Sequence, residues 1–391
     1  MDYQTELNKD IKMRTARLQE TVRCLGADAC ILSTSVNVFY TTGIIYAGYF
    51  YLPAEGEALH FVKRPSDVWL PNTVFIRKPE QIAEELQNRG LPLPTKVLLE
   101  ADALSYNSCN RLIGALNIKE TVDASPLLRK QRSVKTDLEI SQVRICAERH
   151  MAVYGLIPSL YRHGMTDVAL QAEIEREMLL HGSSGLFRTY GENMDVYQGS
   201  LLAGENAEEP SPFDFALGGK GVSPSLPIGA CGAVIGKGQT IMVDLAGNYT
   251  PWMTDLSRVY SVGKTSDLAL KAHQASIEIH NIARDTARVG TPCADLYNMA
   301  VDVTKKHGLE PYFMGTKQQA KFVGHGVGIE INEVPVLMPR SKDLLEENIV
   351  FALEPKYVIP GVGPVGIENT YLVTAGGIEN LTPIEENIIE L

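Results

Sequence analysis

The chain has 391 residues, 45% of them hydrophobic and 21% charged, and its 36 basic and 47 acidic side chains leave a formal charge of −11. That balance excludes a disordered or fibrous chain and offers no broad positive surface, so neither nucleic acid nor an anionic membrane is an expected partner. The length accommodates a small domain beside a larger one.

Apolar positions recur at helical spacing from Leu7 to Leu25, and short β-type runs follow: ACILST, NVFYTTG, GYFYL, ALHFVKR and TVFIRK. The span from Ala29 to Ala54 is free of charge, but its hydroxyl, amide, β-branched and aromatic residues read as strands of a soluble sheet rather than a membrane crossing. A helix is expected at Pro79–Arg89 and a strand at VLLEAD, which makes a compact α/β unit. The basic segment Ser125–Lys135 reads as a turn, with a domain boundary near Ser133, giving domains of residues 1–133 and 134–391. Beyond it, helices are expected at Asp137–Arg162 and Thr166–His181, then strands at Leu186–Tyr190, Ser200–Ala203, Thr240–Ala246 and Trp252–Val262. Helices at Ser266–Arg288 and Ala294–His307 and strands at Val350–Val358 and Val365–Thr374 complete an order that hints at two related helix–strand halves. The six cysteines form no C-x-x-C pair and read as reduced thiols, and the opening residues lack the apolar core of a secretory signal; the expected compartment is the cytoplasm. His163, His273, His280 and His307 fall in or at the ends of helices and read as structural.

Chemistry concentrates in three stretches. TIMVDLAGNYTPWMTDLSRVYSVG has turn residues between apolar strands, and a hairpin symmetric about Tyr249 and Thr250 would set Asp244 opposite Asp255. FALEPKYVIPGVGPVGIENTYLV repeats the design, with Glu354 and Glu368 seven residues either side of Gly361. Between them, His325 sits between Gly324 and Gly326. Like charges paired on apolar strands repel and lose hydration, a cost that a shared cation removes. Four carboxylates and one imidazole suit Mn²⁺, Co²⁺, Fe²⁺ or Zn²⁺, and two such ions would balance the four charges. Paired ions ~3.5–4 Å apart hold a bridging water and polarise a carbonyl, so amide or ester hydrolysis is the expected reaction class.

These motifs resemble those of the creatinase, aminopeptidase P, prolidase and methionine aminopeptidase superfamily. The resemblance spans nearly the whole chain and implies a creatinase-type N-terminal α/β domain followed by a pita-bread domain. It further implies that Asp244, Asp255, His325, Glu354 and Glu368 bind two metals, with Glu354 also the general base on a metal-activated water. A dinuclear peptidase of Xaa-Pro dipeptidase or aminopeptidase type, acting as a homodimer on short peptides, is the implied function. Two positions depart from the family pattern: Ile228 stands where an L-P-H histidine is expected, and Asn332 where a second histidine would precede Glu333. Isoleucine offers no hydrogen bond and asparagine cannot act as an acid near neutral pH. These departures keep open a metal-dependent enzyme of the same fold acting on a non-peptide small molecule, or a scaffold that has lost turnover. Ile228, Asn332 and Trp252 are the candidate substrate contacts; Arg188 and Tyr190 could face the site, but strand parity alone does not assign their side.

Overall fold

A computed structural model describes residues 3–191 and 198–391, and the chain divides into two compact units, Met1–Arg132 and Ser133–Leu391. No helix among the described residues is long and apolar enough to cross a membrane.

The first unit runs α1 (Tyr3–Cys24), β1 (Ala29–Leu32), α2 (Ser35–Thr42), β2 (Ala47–Pro53), β3 (Leu59–Arg64), β4 (Thr73–Phe75), α3 (Glu80–Asn88), β5 (Lys96–Leu99), α4 (Tyr106–Leu116), β6 (Glu120–Asp123) and α5 (Ser125–Ser133). Its strands form one mixed sheet in the order β4-β3-β2-β1-β5-β6. Residues 37–43, expected as a strand, instead lie in α2 and its C-cap. Thr34 caps it by accepting from Asn37 N–H, Gly43 ends it at φ 76°, and the Glu100 carboxylate accepts from the Ser33 and Thr34 N–H groups at its start. An anion at a helix N-terminus and two good caps outweigh the β preference of Val38, Thr41 and Thr42. Ser125–Lys135 also departs from expectation, since most of it is α5. Leu128 is buried against Leu18, Val22 and Leu98, and Pro126 sits in the first turn, where its missing N–H costs nothing.

The second unit runs α6 (Asp137–Tyr154), α7 (Ile157–Leu160), α8 (Asp167–Leu180), β7 (Gly199–Ala203), β8 (Thr240–Gly247), β9 (Thr254–Ser261), α9 (Asp267–Thr286), α10 (Cys293–Lys306), β10 (Gly324–Gly326), β11 (Glu333–Val336), β12 (Val350–Leu353), β13 (Lys356–Ile359), β14 (Gly363–Gly366), β15 (Asn369–Thr374), β16 (Gly377–Asn380) and β17 (Ile389–Glu390). A full capping box between Thr136 and Glu139 opens α6. Two cores result. One packs Cys146, Val153, Leu170 and Ile174 of α6 and α8 on Leu201, Val243 and Leu256 of β7, β8 and β9. The other packs Ala272, Ile279, Leu296 and Ala300 of α9 and α10 on Phe351, Tyr357, Val365 and Tyr371. The sheets are β17-β9-β8-β7, β11-β10-β12-β15-β16 and the pair β13-β14.

Residues 186–190 form no regular strand. The segment is instead held by Ile331 N–H donating to Arg188 O at 2.8 Å and by the Asn332 side chain, whose Oδ1 accepts from Tyr190 N–H at 2.7 Å and whose Nδ2 donates to Tyr190 O at 2.8 Å. A side-chain amide thus substitutes for a neighbouring strand.

Candidate metal centre

The first hairpin is offset from the symmetric reading. Asp244 on β8 faces Ser257 on β9, and Asp255 faces Ala246. Asp244 and Asp255 are therefore diagonal neighbours, still on one face because the shift is two residues. The loop is longer than a tight turn because its far side is anchored: Trp252 is buried with its indole N–H on Glu139 Oε1 at 3.1 Å, and Met253 N–H donates to Gly328 O at 2.8 Å. Trp252 accordingly belongs to the core, not to a substrate pocket.

The second hairpin keeps the register centred on Gly361 through both of its segments. Lys356 pairs with Gly366 and Leu353 with Asn369, so Glu354 and Glu368 lie at the matching breaks where β12 passes into β13 and β14 into β15. An isolated bridge from Ser257 to Glu368 ties this break to β9, and Ser257 Oγ–H donates to Glu368 Oε2 at 2.6 Å. Arg258, 1% exposed, locks the junction from behind: its guanidinium donates to Ser257 O and Glu368 O, each at 2.8 Å, and to Asn369 Oδ1 at 2.8 Å. His325 arrives on β10, which pairs with β12. Its flanking glycines are required there, because a Cβ at Gly324 would lie 2.1 Å from Ala352 O and one at Gly326 would lie 2.2 Å from Val334 O.

The five expected residues are thus brought together, but around two centres. Asp255, His325 and Glu368 offer ligand atoms that all lie within 4.8 Å of one another. His325 Nε2 is 3.7 Å from Asp255 Oδ2 and 3.5 Å from Glu354 Oε1. Glu368 Oε1 is buried and has no hydrogen-bond partner among the described residues, the state of an oxygen built to meet a cation. Ligand atoms about 2.0–2.2 Å from a shared ion are at most about 4.4 Å apart, so these three side chains could hold one divalent cation by closing a few tenths of an ångström.

The second centre is a residue that the sequence reading passed over. Lys356, 1% exposed, places its ammonium 2.7 Å from Asp244 Oδ2, 2.6 Å from Glu354 Oε2 and 3.0 Å from Glu368 Oε2. Burial opposes its charge, but the three carboxylates outweigh that and hold the ammonium well above the usual lysine range. Burial first, and then neighbouring carboxylates, push the Asp255 and Glu368 carboxyls well above the ordinary range, with Lys356 pulling the other way. The available signal was a lone lysine in the otherwise apolar run after Glu354.

The other expected contacts lie nearby. Ile228 is buried, and the next residue, Gly229, approaches Ser200, which pairs with Asp244: a Cβ at Gly229 would lie 3.5 Å from Ser200 Cβ. Asn332 has both amide atoms on the Tyr190 backbone.

Residues 141–375 match metallopeptidase family M24, and residues 14–134 match the creatinase/prolidase N-terminal domain. Among relatives, the Xaa-Pro dipeptidase of Pyrococcus furiosus is 26% identical over 385 residues, covering 95% of this chain and 99% of that protein. Among solved structures, an Xaa-Pro dipeptidase from Bacillus anthracis superposes with a TM-score of 0.80 at 22% identity, covering 97% of this chain and 100% of the other. An X-Pro aminopeptidase from Thermotoga maritima does so with a TM-score of 0.77 at 19% identity, covering 95% and 100%; at these identities the likeness speaks to the fold. Sequence match and fold agree with the chemistry of the acidic and imidazole cluster: the chain belongs to metallopeptidase family M24 and is a hydrolase with a creatinase-type N-terminal domain ahead of a pita-bread domain.

Proposed function

We propose that this metallopeptidase hydrolyses Xaa-Pro bonds in dipeptides or short peptides, with Asp255, His325 and Glu368 as metal ligands and Glu354 as general base. The observation that carries the reading is the Asp255–His325–Glu368 group, its carboxylates buried and its imidazole half-buried, with Glu354 Oε1 3.5 Å from the imidazole. The names of relatives that cover nearly the whole chain support the substrate class. A divalent cation bound there supplies Lewis acidity toward a carbonyl oxygen and an adjacent water. Lys356 holds Glu354 by Oε2, which leaves Oε1 on the imidazole side as the proton acceptor. Because Ile228 offers no proton and Asn332 is no acid, Glu354 carries both transfers, from the water and then to the departing nitrogen.

The test is turnover of Xaa-Pro dipeptides and longer Xaa-Pro peptides by Mn²⁺-replete protein, compared with Glu354→Gln. Cleavage that falls about 10²–10⁴-fold in the variant is expected. Absence of cleavage by the metal-loaded wild type overturns the substrate assignment. A second reading, hydrolysis of a small non-peptide amide, is favoured by one observation: the family's histidine position is filled by buried, apolar Ile228, so the site suits a substrate that needs one polar contact fewer. Turnover of a cyclic amide with Xaa-Pro peptides left intact would select it.

A further inference from the structure

We propose that Lys356 takes the place of a second metal ion, so that this metallopeptidase holds one divalent cation per chain. The inference rests on reading Asp255, His325 and Glu368 as metal ligands, and it concerns Asp244, Glu354 and Glu368, the carboxylates gathered on the ammonium. An ammonium has three N–H donors, and Lys356 spends one on each of these side chains, at 2.7, 2.6 and 3.0 Å. An ion reaching Asp244 Oδ2 and Glu368 Oε2 at about 2.0–2.2 Å would need the volume that Nζ fills.

The backbone that carries the lysine is fixed. Lys356 pairs with Gly366 across β13 and β14, Met314 N–H donates to its carbonyl at 2.8 Å, and its own N–H faces Met314 Sδ at 3.4 Å. Gly366 closes the other side, since a Cβ there would lie 3.0 Å from Lys356 Cα. Four carboxylates and one ammonium sum to −3, so one divalent cation brings the cluster to −1 and two bring it to +1, equally far from neutrality; the space already filled by Nζ is what admits one ion and not two. Asp244 becomes a partner of the ammonium and a positioning residue, and Lys356 orients Glu354 and Glu368 without touching substrate, its donors being used.

The experiment counts metal in the purified full-length protein by elemental analysis after Mn²⁺ loading and records the Mn²⁺ electron paramagnetic resonance spectrum. Wild type, Lys356→Ala and Asp244→Asn are compared. The expected result is one ion per chain in wild type, with the resolved hyperfine pattern of an isolated Mn²⁺. Asp244→Asn keeps that one ion, and Lys356→Ala rises toward two with an exchange-coupled spectrum. Two ions in wild type overturn the proposal while leaving the ligand reading intact. One ion in both wild type and Lys356→Ala overturns the role given to the lysine. No ion in any of the three overturns the ligand reading and the inference with it. Should Lys356→Ala not fold, the wild-type count and the Asp244→Asn count decide.

Discussion

Glu354 and Lys356, separated only by Pro355, turn to the same side of the chain and meet, with Lys356 Nζ 2.6 Å from Glu354 Oε2. Spacing by two puts neighbouring side chains of an extended segment on one face, and the break between β12 and β13 lets both point at the same group of carboxylates. This contact leaves Glu354 one oxygen, Oε1, toward His325, the side on which the proposed metal ligands lie.

Asp255→Asn is expected to remove the metal. Asp255 Oδ1 already accepts from Leu256 N–H at 3.1 Å, so Oδ2 is the oxygen turned to His325, and an amide there is a weak ligand. A ligand that binds only the folded state raises thermal stability by mass action, so the wild-type Tm should climb with added Mn²⁺ while that of the variant stays flat. Equal metal content in the two proteins would refute the ligand assignment.

Asn332→Ala should act on substrate binding more than on the chemical step. Both amide atoms of Asn332 hold the Tyr190 backbone, and Asn332→Ala removes these two bonds while the Ile331 N–H bond to Arg188 O remains, so the segment is held more loosely. A rise of roughly tenfold in KM, with a smaller change in kcat, is the expected steady-state result. Asn332→Asp keeps the acceptor for Tyr190 N–H and loses the donor, so it should fall between. An unchanged KM in both variants would show that this segment does not shape the site.

Lys135 and Glu333 form an ion pair at 3.0 Å, each side chain 1% exposed. Glu333 Oε1 also accepts from Ile329 N–H at 3.2 Å, so the pair braces the loop that leads into Asn332. Lys135→Met removes a buried ammonium from a buried carboxylate and should cost up to about 3–5 kcal/mol in denaturant unfolding. The double variant Lys135→Met with Glu333→Gln should recover part of that loss, because the charge is removed with the ammonium. If the double variant is as unstable as the single one, packing rather than the lost charge pair is responsible.

Acid should destabilise the fold through buried neutral histidines. His273 Nδ1 accepts from Gly366 N–H at 3.1 Å while Nε2 donates to Glu386 O at 2.7 Å, and burial lowers its pKa to about 4; burial takes His280 to about 3. A histidine depressed in the folded state stabilises above its unfolded pKa, and that contribution is lost as pH falls from 6.5 toward 4. For His273 the full effect is about 3 kcal/mol. Asp255 and Glu368, raised in the folded state, act in the opposite sense, so the comparison is wild type against His273→Gln in the same metal-free buffer. The variant should lose less stability between pH 7 and about pH 4.5; identical pH slopes would sink the argument.

Much of the architecture was legible locally. The helices α1, α3, α8, α9 and α10 and strands β1, β2, β3, β8 and β9 appear close to where apolar pattern and turn residues put them, and α6 starts as expected but ends at Tyr154, well short of Arg162. The hairpin about Gly361 was readable in the same way: its turn is short and rich in glycine and proline, so both arms share one centre and Glu354 meets Glu368. The pattern also placed Asp244 and Asp255 on a common face.

The tertiary structure decided what depended on distant partners. The Asp244–Asp255 register moved by two residues because Trp252 and Met253 are anchored on Glu139 and Gly328, far along the chain. Residues 37–43 became helical because Glu100 supplies an anion at the helix start. Lys356 is the sharpest case. Sequence spacing pairs two glutamates and two aspartates, but an ammonium settles among Asp244, Glu354 and Glu368 only when β8 and both breaks of the second hairpin converge in space. Local pattern determines which face a side chain occupies; the identity of the cation that face meets is set by elements brought together from more than a hundred residues apart.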